Sequence, residues 1–375
     1  MKIALVHDYL SQDGGAERVL KAMHEIWPEA PIFVLFHDQK KINYFNREKI
    51  RESFLSNLPF IHEHFQWYLP FMPLATEKYR LEDFDVVLSS TSSFAKGVIV
   101  KPDTLHISYC HTPPRYLWSN THEYVAELKY GEIIKFALPG IIHKLRLWDK
   151  MSADRVDHFI ANSKTVQHRI SKYYRRDSEV IYPPVDTDRF SISDKIEDYF
   201  LAGGRLVPYK KIDLIIKTFN RLQKPLKIFG IGPEFARLKN MAKQNIEFLG
   251  RISDEEKSKL MSKAQAFIHP QIEDFGITPI ESMAAGRPVI AFSVGGATET
   301  IHPNETGIFF HKQNWENLFQ TLLNFDPSKW DGPRIREHAT HFKAETFKNN
   351  LRKMVMDRHE EFQKGLSQTA LISLP

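Results

Sequence analysis

The sequence predicts an α/β protein built from two doubly wound parallel-sheet domains. Three observations carry that expectation. Short apolar, β-rich runs alternate with longer amphipathic stretches, the pattern of βα units on a parallel sheet. The rhythm halts at Tyr182-Pro183-Pro184-Val185-Asp186-Thr187-Asp188, which cannot be helix interior, and restarts at Tyr199. The length of 375 residues is about twice that of a usual domain, enough for two cores.

In the first half, strands are expected at Lys2 to His7, Pro31 to Phe36, Asp85 to Ser89, Gly97 to Val100, Leu105 to Tyr109, Asp157 to Ala161 and Glu179 to Ile181, with a helix at Ala16 to Trp27. In the second half they are expected at Tyr199 to Ala202, Leu226 to Phe229, Ile246 to Leu249, Ala266 to His269, Pro288 to Phe292 and Gly307 to Phe310. Ala344 to Phe362 reads as one amphipathic helix with no strand after it, crossing back to the first domain. The expected division is 1–190 with 344–375, and 191–343.

Apolar residues at 42% and charged residues at 26% are a globular composition. A single cysteine, Cys110, excludes an internal disulfide framework and a thiolate metal cage. The net charge of +5 is too diffuse to argue for nucleic acid. No apolar run approaches the ~20 residues of a membrane span. MKIALVHDYL enters its apolar run without a cleavable signal, so a cytoplasmic location is expected.

Open parallel sheets bind ligands at the carboxyl ends of their strands, so chemistry is sought there, in a cleft expected between the domains. After the first strand, Asp13-Gly14-Gly15 leads into a helix, where free amides and the helix dipole favour an anion. A strand-helix turn needing positive φ explains the same glycines. The second domain opens similarly with Gly203-Gly204-Arg205-Leu206-Val207-Pro208-Tyr209-Lys210-Lys211, placing a forked donor and a point charge suited to a diphosphate.

The most informative segment is His269-Pro270-Gln271-Ile272-Glu273-Asp274-Phe275-Gly276-Ile277-Thr278-Pro279-Ile280-Glu281. Thr278 is the expected N-cap and Pro279 the first helical residue. Glu281 then sits on the first turn beside the amides of Phe275, Gly276 and Ile277. Thr278-x-x-Glu281 also spells a capping box, in which Glu281 serves only the backbone. Glu273, in the loop, has no capping reason to be acidic.

EDFGITPIE resembles the EX7E signature of the retaining glycosyltransferases of family 4, and GRLVPYK resembles that family's GRL…K phosphate-binding element. GGAER, CHTPPRY, AGRPVIAFSVGGATE and TGIFF follow in family order and extend the likeness over nearly the whole chain. The resemblance implies a GT-B architecture, two Rossmann-like domains facing across a cleft, with the donor nucleotide in the C-terminal one. By motif position, Glu281 would accept hydrogen bonds from ribose hydroxyls and Glu273 would contact hydroxyls of the transferred sugar. Arg205 and Lys210 would neutralise the diphosphate without a metal or other cofactor, helped by amides at Gly14, Gly15 and around Gly276. His111 resembles the histidine that reaches the transferred sugar. One departure is visible, Lys210-Lys211 where members often have Lys-Gly.

The N-terminal half, with YCHTPPRYLW and IYPPVD, is similar to mannosyltransferases of O-antigen and capsule pathways. The favoured donor is therefore GDP-mannose, with a UDP-sugar as the alternative. The acceptor expected is a saccharide, carried on a lipid. The Gly131 to Trp148 stretch and aromatic-rich Phe65 to Phe71 suit either a peripheral membrane contact or packing on the core, and Pro139-Gly140 is expected to break the former into two pieces. Two DxD patterns, Asp83-Phe84-Asp85 and Asp186-Thr187-Asp188, lie away from strand ends and are not read as metal ligands. A UDP-N-acetylglucosamine epimerase lacks the EX7E pattern, and a glycogen-synthase-like enzyme runs longer. A non-catalytic nucleotide- or sugar-binding subunit should have lost one of Arg205, Lys210, Glu273, Glu281 and His111.

Overall fold

The computed structural model describes residues 1–119, 121 and 132–372. It divides into two compact units, 1–184 with 347–375, and 185–346. The division falls at Val185 because its N–H donates to Phe342 O at 2.9 Å, and Lys343 pairs with Asp188 at 3.0 Å.

The first unit holds strands β1 (Ile3–His7), β2 (Ile32–Val34), β3 (Ile50–Glu52), β4 (Val86–Thr91), β5 (Leu105–Cys110), β6 (His158–Ala161) and β7 (Ser178–Val180). Every pairing is parallel, in the order β3-β2-β1-β4-β5-β6-β7. Helices cover both faces, so the central strands are buried on both sides; β1, IALVH, is buried along its whole length. The C-terminal helix Ala344–Ile372 seals one face, inserting Phe347, Leu351, Met354 and Val355 into the core beneath β1 and β4.

The second unit repeats the design with β8 (Phe200–Gly203), β9 (Leu226–Phe229), β10 (Ile246–Gly250), β11 (Phe267–His269), β12 (Val289–Phe292) and β13 (Gly307–Phe310), ordered β10-β9-β8-β11-β12-β13 and all parallel. Strand order reverses between β1 and β4 in one unit and between β8 and β11 in the other. These are the topological switch points, where helices leave in opposite directions and a crevice opens at the strand ends.

Several expectations need correction. Gly97 to Val100 is not a strand: Ala95–Gly97 is a 3-10 turn, and Val98 is buried in the core without joining the sheet. An apolar run reports burial, not pairing. β3 was not anticipated, being a three-residue edge strand with one buried side chain. Gly131 lies outside the described residues; the rest of its stretch belongs to one helix, Glu132–Asp154, which continues through Pro139. Burial of Leu138, Ile142 and Leu145 against the first unit's core offsets the hydrogen bond that proline removes. The helix also leaves Leu147 and Met151 exposed. Among the described residues no helix is long and apolar enough to cross a membrane.

Candidate functional site

In the second unit, the segments after β8 and β11 flank its switch point. The turn after β8 carries Arg205, exposed and with no ion-pair partner among the described residues, and Lys210, partly buried. Lys210 Nζ donates to Glu273 Oε1, from the loop after β11, closing an ion pair across the crevice between the two strands. Burial pushes the Glu273 carboxyl up, but the Lys210 ammonium, His269 and hydrogen bonds from Lys210 and Gln271 outweigh it, so the net shift is downward. Gln271 Nε2 lies 3.0 Å from His269 Nδ1. His269 is fully buried at the end of β11, and burial, with a smaller push from Lys210, lowers its pKa to about 4. The loop is held from behind by Gly296, whose N–H donates to Glu273 O at 2.8 Å.

The helix that follows is Ile277–Ala284, and its N-cap is Gly276 at φ 91°, a left-handed backbone that favours glycine. This corrects the expected cap at Thr278, which lies inside the first turn together with Pro279. The capping-box reading of Glu281 fails with it, because the box requires Thr278 at the cap. Glu281 is buried, and its Oε1 accepts a 2.8 Å hydrogen bond from Lys257 Nζ on the helix Asp254–Lys263. Lys257 was not foreseen; nothing in a sequence separation of 24 residues signals it. Phe275 turns its ring into the core against Phe342, centroids 5.7 Å apart, leaving its backbone as the group able to face a ligand. The amides of Gly276 and Ile277 stand at the helix start, where intrahelical acceptors are lacking.

In the first unit, the helix Gly15–Ile26 begins with Gly14 as N-cap at φ −124°. Positive φ is thus not why Gly14 is glycine. A Cβ there would lie 2.9 Å from Glu17 Oε2, which accepts the Gly14 N–H at 3.0 Å. That bond already engages the Gly14 amide expected to meet an anion. Asp8, just beyond β1, accepts four backbone N–H groups: Ser92 (2.7 Å) and Ser93 (2.9 Å) on Oδ2, Phe94 and Ala95 (both 2.7 Å) on Oδ1. Its carboxylate clamps the chain as it leaves β4, fixing one wall of this switch point.

His111 follows β5 directly, and its Nε2 lies 2.9 Å from Ser90 Oγ at the end of β4. Burial lowers its pKa to about 3, with His7 adding to the shift, so the ring is neutral near pH 7. Cys110 is buried in the core, pointing away from this ring. Three of the four DxD carboxylates are engaged elsewhere: Asp85 accepts from the Lys2 N–H at 2.6 Å, Asp186 pairs with Arg189 at 2.9 Å, and Asp188 with Lys343.

Two family models match the chain, one described as Glycosyltransferase Family 4 over residues 13–189 and one as Glycosyl transferases group 1 over residues 186–325. The chain belongs to glycosyltransferase family 4. Among its relatives, an O-antigen chain mannosyltransferase of Salmonella typhimurium, RfbU, is 36% identical over 39% of this chain and 44% of its own length. An uncharacterized glycosyltransferase of Methanocaldococcus jannaschii, MJ1178, is 27% identical over 59% of this chain and 64% of its own. The chain thus spans about half to two thirds of these two relatives, 44% and 64% of their lengths. Among solved structures, Anabaena Alr3699/HepE in complex with UDP aligns at a TM-score of 0.70 over 95% of this chain and 100% of that one, at 16% identity. The fold is GT-B.

Proposed function

We propose that this family 4 protein transfers a hexose, with retention of anomeric configuration, from a nucleotide sugar to a saccharide acceptor in surface polysaccharide assembly. The observation that carries the reading is the meeting of Lys210 and Glu273 at the switch point of the second unit. A cation beside a strand-end turn suits a diphosphate, and a carboxylate held ionised beside it suits sugar hydroxyls. In this reading the bond from the anomeric carbon to the phosphate oxygen breaks, and the acceptor oxygen bonds to that carbon on the same face. The acceptor proton passes to the departing phosphate oxygen. Arg205 and Lys210 stabilise the charge that grows on the diphosphate, and no divalent metal is required. Glu281, with amides of Gly276 and Ile277, binds the nucleotide end; in the first unit, His111 serves sugar recognition and the Gly15 amide anion binding.

GDP-mannose is the favoured donor, supported by the likeness to the RfbU mannosyltransferase; the HepE complex with UDP keeps a UDP-sugar as the alternative. A lipid-linked acceptor at the inner face of a membrane is supported by exposed Phe60, Trp67, Phe71 and Leu74 on one run of short helices. A screen of nucleotide sugars for hydrolysis by the full chain tests the reading. GDP-mannose should release nucleoside diphosphate fastest, and release from none of them would overturn it.

A further inference from the structure

A buried polar chain runs behind His111. Glu17 is 3% exposed, His7 3% and Ser90 fully buried, although each carries a polar head that burial penalises unless it is partnered. Glu17 Oε1 faces His7 Nε2 at 4.0 Å, His7 Nδ1 lies 3.1 Å from Ser90 Oγ, and Ser90 Oγ lies 2.9 Å from His111 Nε2. Glu17 belongs to the helix Gly15–Ile26, His7 to β1, Ser90 to β4, and His111 follows β5, so three adjacent strand ends and one helix supply the chain.

We propose that Glu17 is a positioning residue that acts through His7 and Ser90 to set which ring nitrogen of His111 carries the proton. A serine hydroxyl has one hydrogen, so it can donate to one of its two histidine neighbours and must accept from the other. The Glu17 carboxylate favours a proton on the His7 nitrogen that faces it, Nε2, which leaves His7 Nδ1 as an acceptor. Ser90 therefore donates to His7 and accepts from His111. His111 consequently carries its proton on Nε2, and its Nδ1 is left as an acceptor, suited to a sugar hydroxyl and not to a phosphate oxygen. The inference deepens the role given to His111 above and rests on that reading for its catalytic consequence, while the proton arrangement itself stands on geometry alone.

Glu17→Gln is the informative variant. Its amide oxygen can keep the Gly14 N–H, preserving the helix start, while its NH2 group replaces the carboxylate oxygen facing His7 Nε2 and favours an acceptor there. The proton on His7 then moves to Nδ1, Ser90 reverses, and His111 is protonated on Nδ1. Full-length protein labelled with 15N in its histidines, without substrate, reports the protonated nitrogen of His111 directly, with His111→Gln identifying its signals among the 17 histidines. The parent should show His111 protonated on Nε2, Glu17→Gln should exchange the two nitrogens, and Ser90→Ala should leave a mixture that a further Glu17→Gln does not alter. A His111 tautomer unchanged by Glu17→Gln, or found on Nδ1 in the parent, would overturn the proposal. If Glu17→Gln does not fold, the parent and Ser90→Ala spectra decide by themselves, since an identical single tautomer in both excludes control through Ser90. Transfer assays are read separately. Glu17→Gln should lower kcat about tenfold with little change in donor KM, and should add nothing once His111 is alanine. A full-rate His111→Ala enzyme alongside an exchanged tautomer would remove the role of His111 and leave the relay intact.

Discussion

Lys210 Nζ and Glu273 Oε1 form an ion pair between groups 63 residues apart in sequence. The pairing helps to hold the Glu273 carboxylate in the ionised form that its proposed task needs. Removing the cation should do more than weaken phosphate binding. Lys210→Ala and Arg205→Ala should each reduce transfer by about 2–4 kcal/mol in transition-state terms, measured as kcat/KM. Because Arg205 is exposed and Lys210 partners a carboxylate, Lys210→Ala alone should also destabilise the fold, by about 1–3 kcal/mol.

The pH dependence has a definite sign. The Glu273 carboxyl is shifted downward, so it contributes stability above the ordinary glutamate pKa that is lost as pH falls through its lowered native value. Lys210→Met removes the main lowering influence and leaves burial, which acts the other way. Tm measured from neutral to acid pH should fall less steeply on acidification in Lys210→Met than in the parent. Parallel curves would show that the pair contributes nothing to acid sensitivity.

Glu281 and Lys257 set up a different trade. Glu281→Gln keeps a hydrogen-bond acceptor for Lys257 but removes its buried counter-charge, about 5% exposed, and leaves only the more exposed Asp254 at 3.4 Å. A stability loss of about 1–3 kcal/mol in chemical denaturation is expected. Affinity for the nucleoside diphosphate, by calorimetric titration, should fall as well. Lost stability with unchanged affinity would leave Glu281 a purely structural partner of Lys257.

Lys211 occupies the left-handed region, φ 53° and ψ 33°, between the turn Pro208–Lys210 and the helix Ile212–Leu222. The departure from Lys-Gly thus falls where glycine would sit without strain. Lys211→Gly should be more stable than Lys211→Ala by about 1 kcal/mol, because both delete the same long side chain and only alanine keeps the Cβ clash. Equal denaturation midpoints would mean that the turn relaxes when the lysine is removed.

Retention predicts an α-linked product from an α-linked nucleotide sugar, read by NMR at the anomeric proton and carbon. Glu273→Gln should keep measurable activity because an amide can still position hydroxyls, and Glu273→Ala should lose more. Activity should persist in EDTA. A β-linked product would sink the roles given to Glu273 and Glu281, and a strict need for a divalent ion would reopen the DxD carboxylates.

The amino-acid sequence by itself determined the two parallel-sheet units, because apolar period and glycine or proline punctuation act over a few residues and are read where they occur. It also marked Arg205 and His111, just past strand ends that short apolar runs locate, and Lys210 and Glu273 in the segments that follow β8 and β11. Tertiary structure decided what those groups face. The partners of Glu273, Glu281 and His111 lie 63, 24 and 21 residues away and arrive through crossovers whose exact packing leaves no local trace. The helix cap moved from Thr278 to Gly276 for the same reason. A Ser/Thr cap is favoured by its own side chain, but a left-handed glycine two residues earlier fits the turn out of a loop tied to Gly296, and the geometry of that loop is set by the strand beside it.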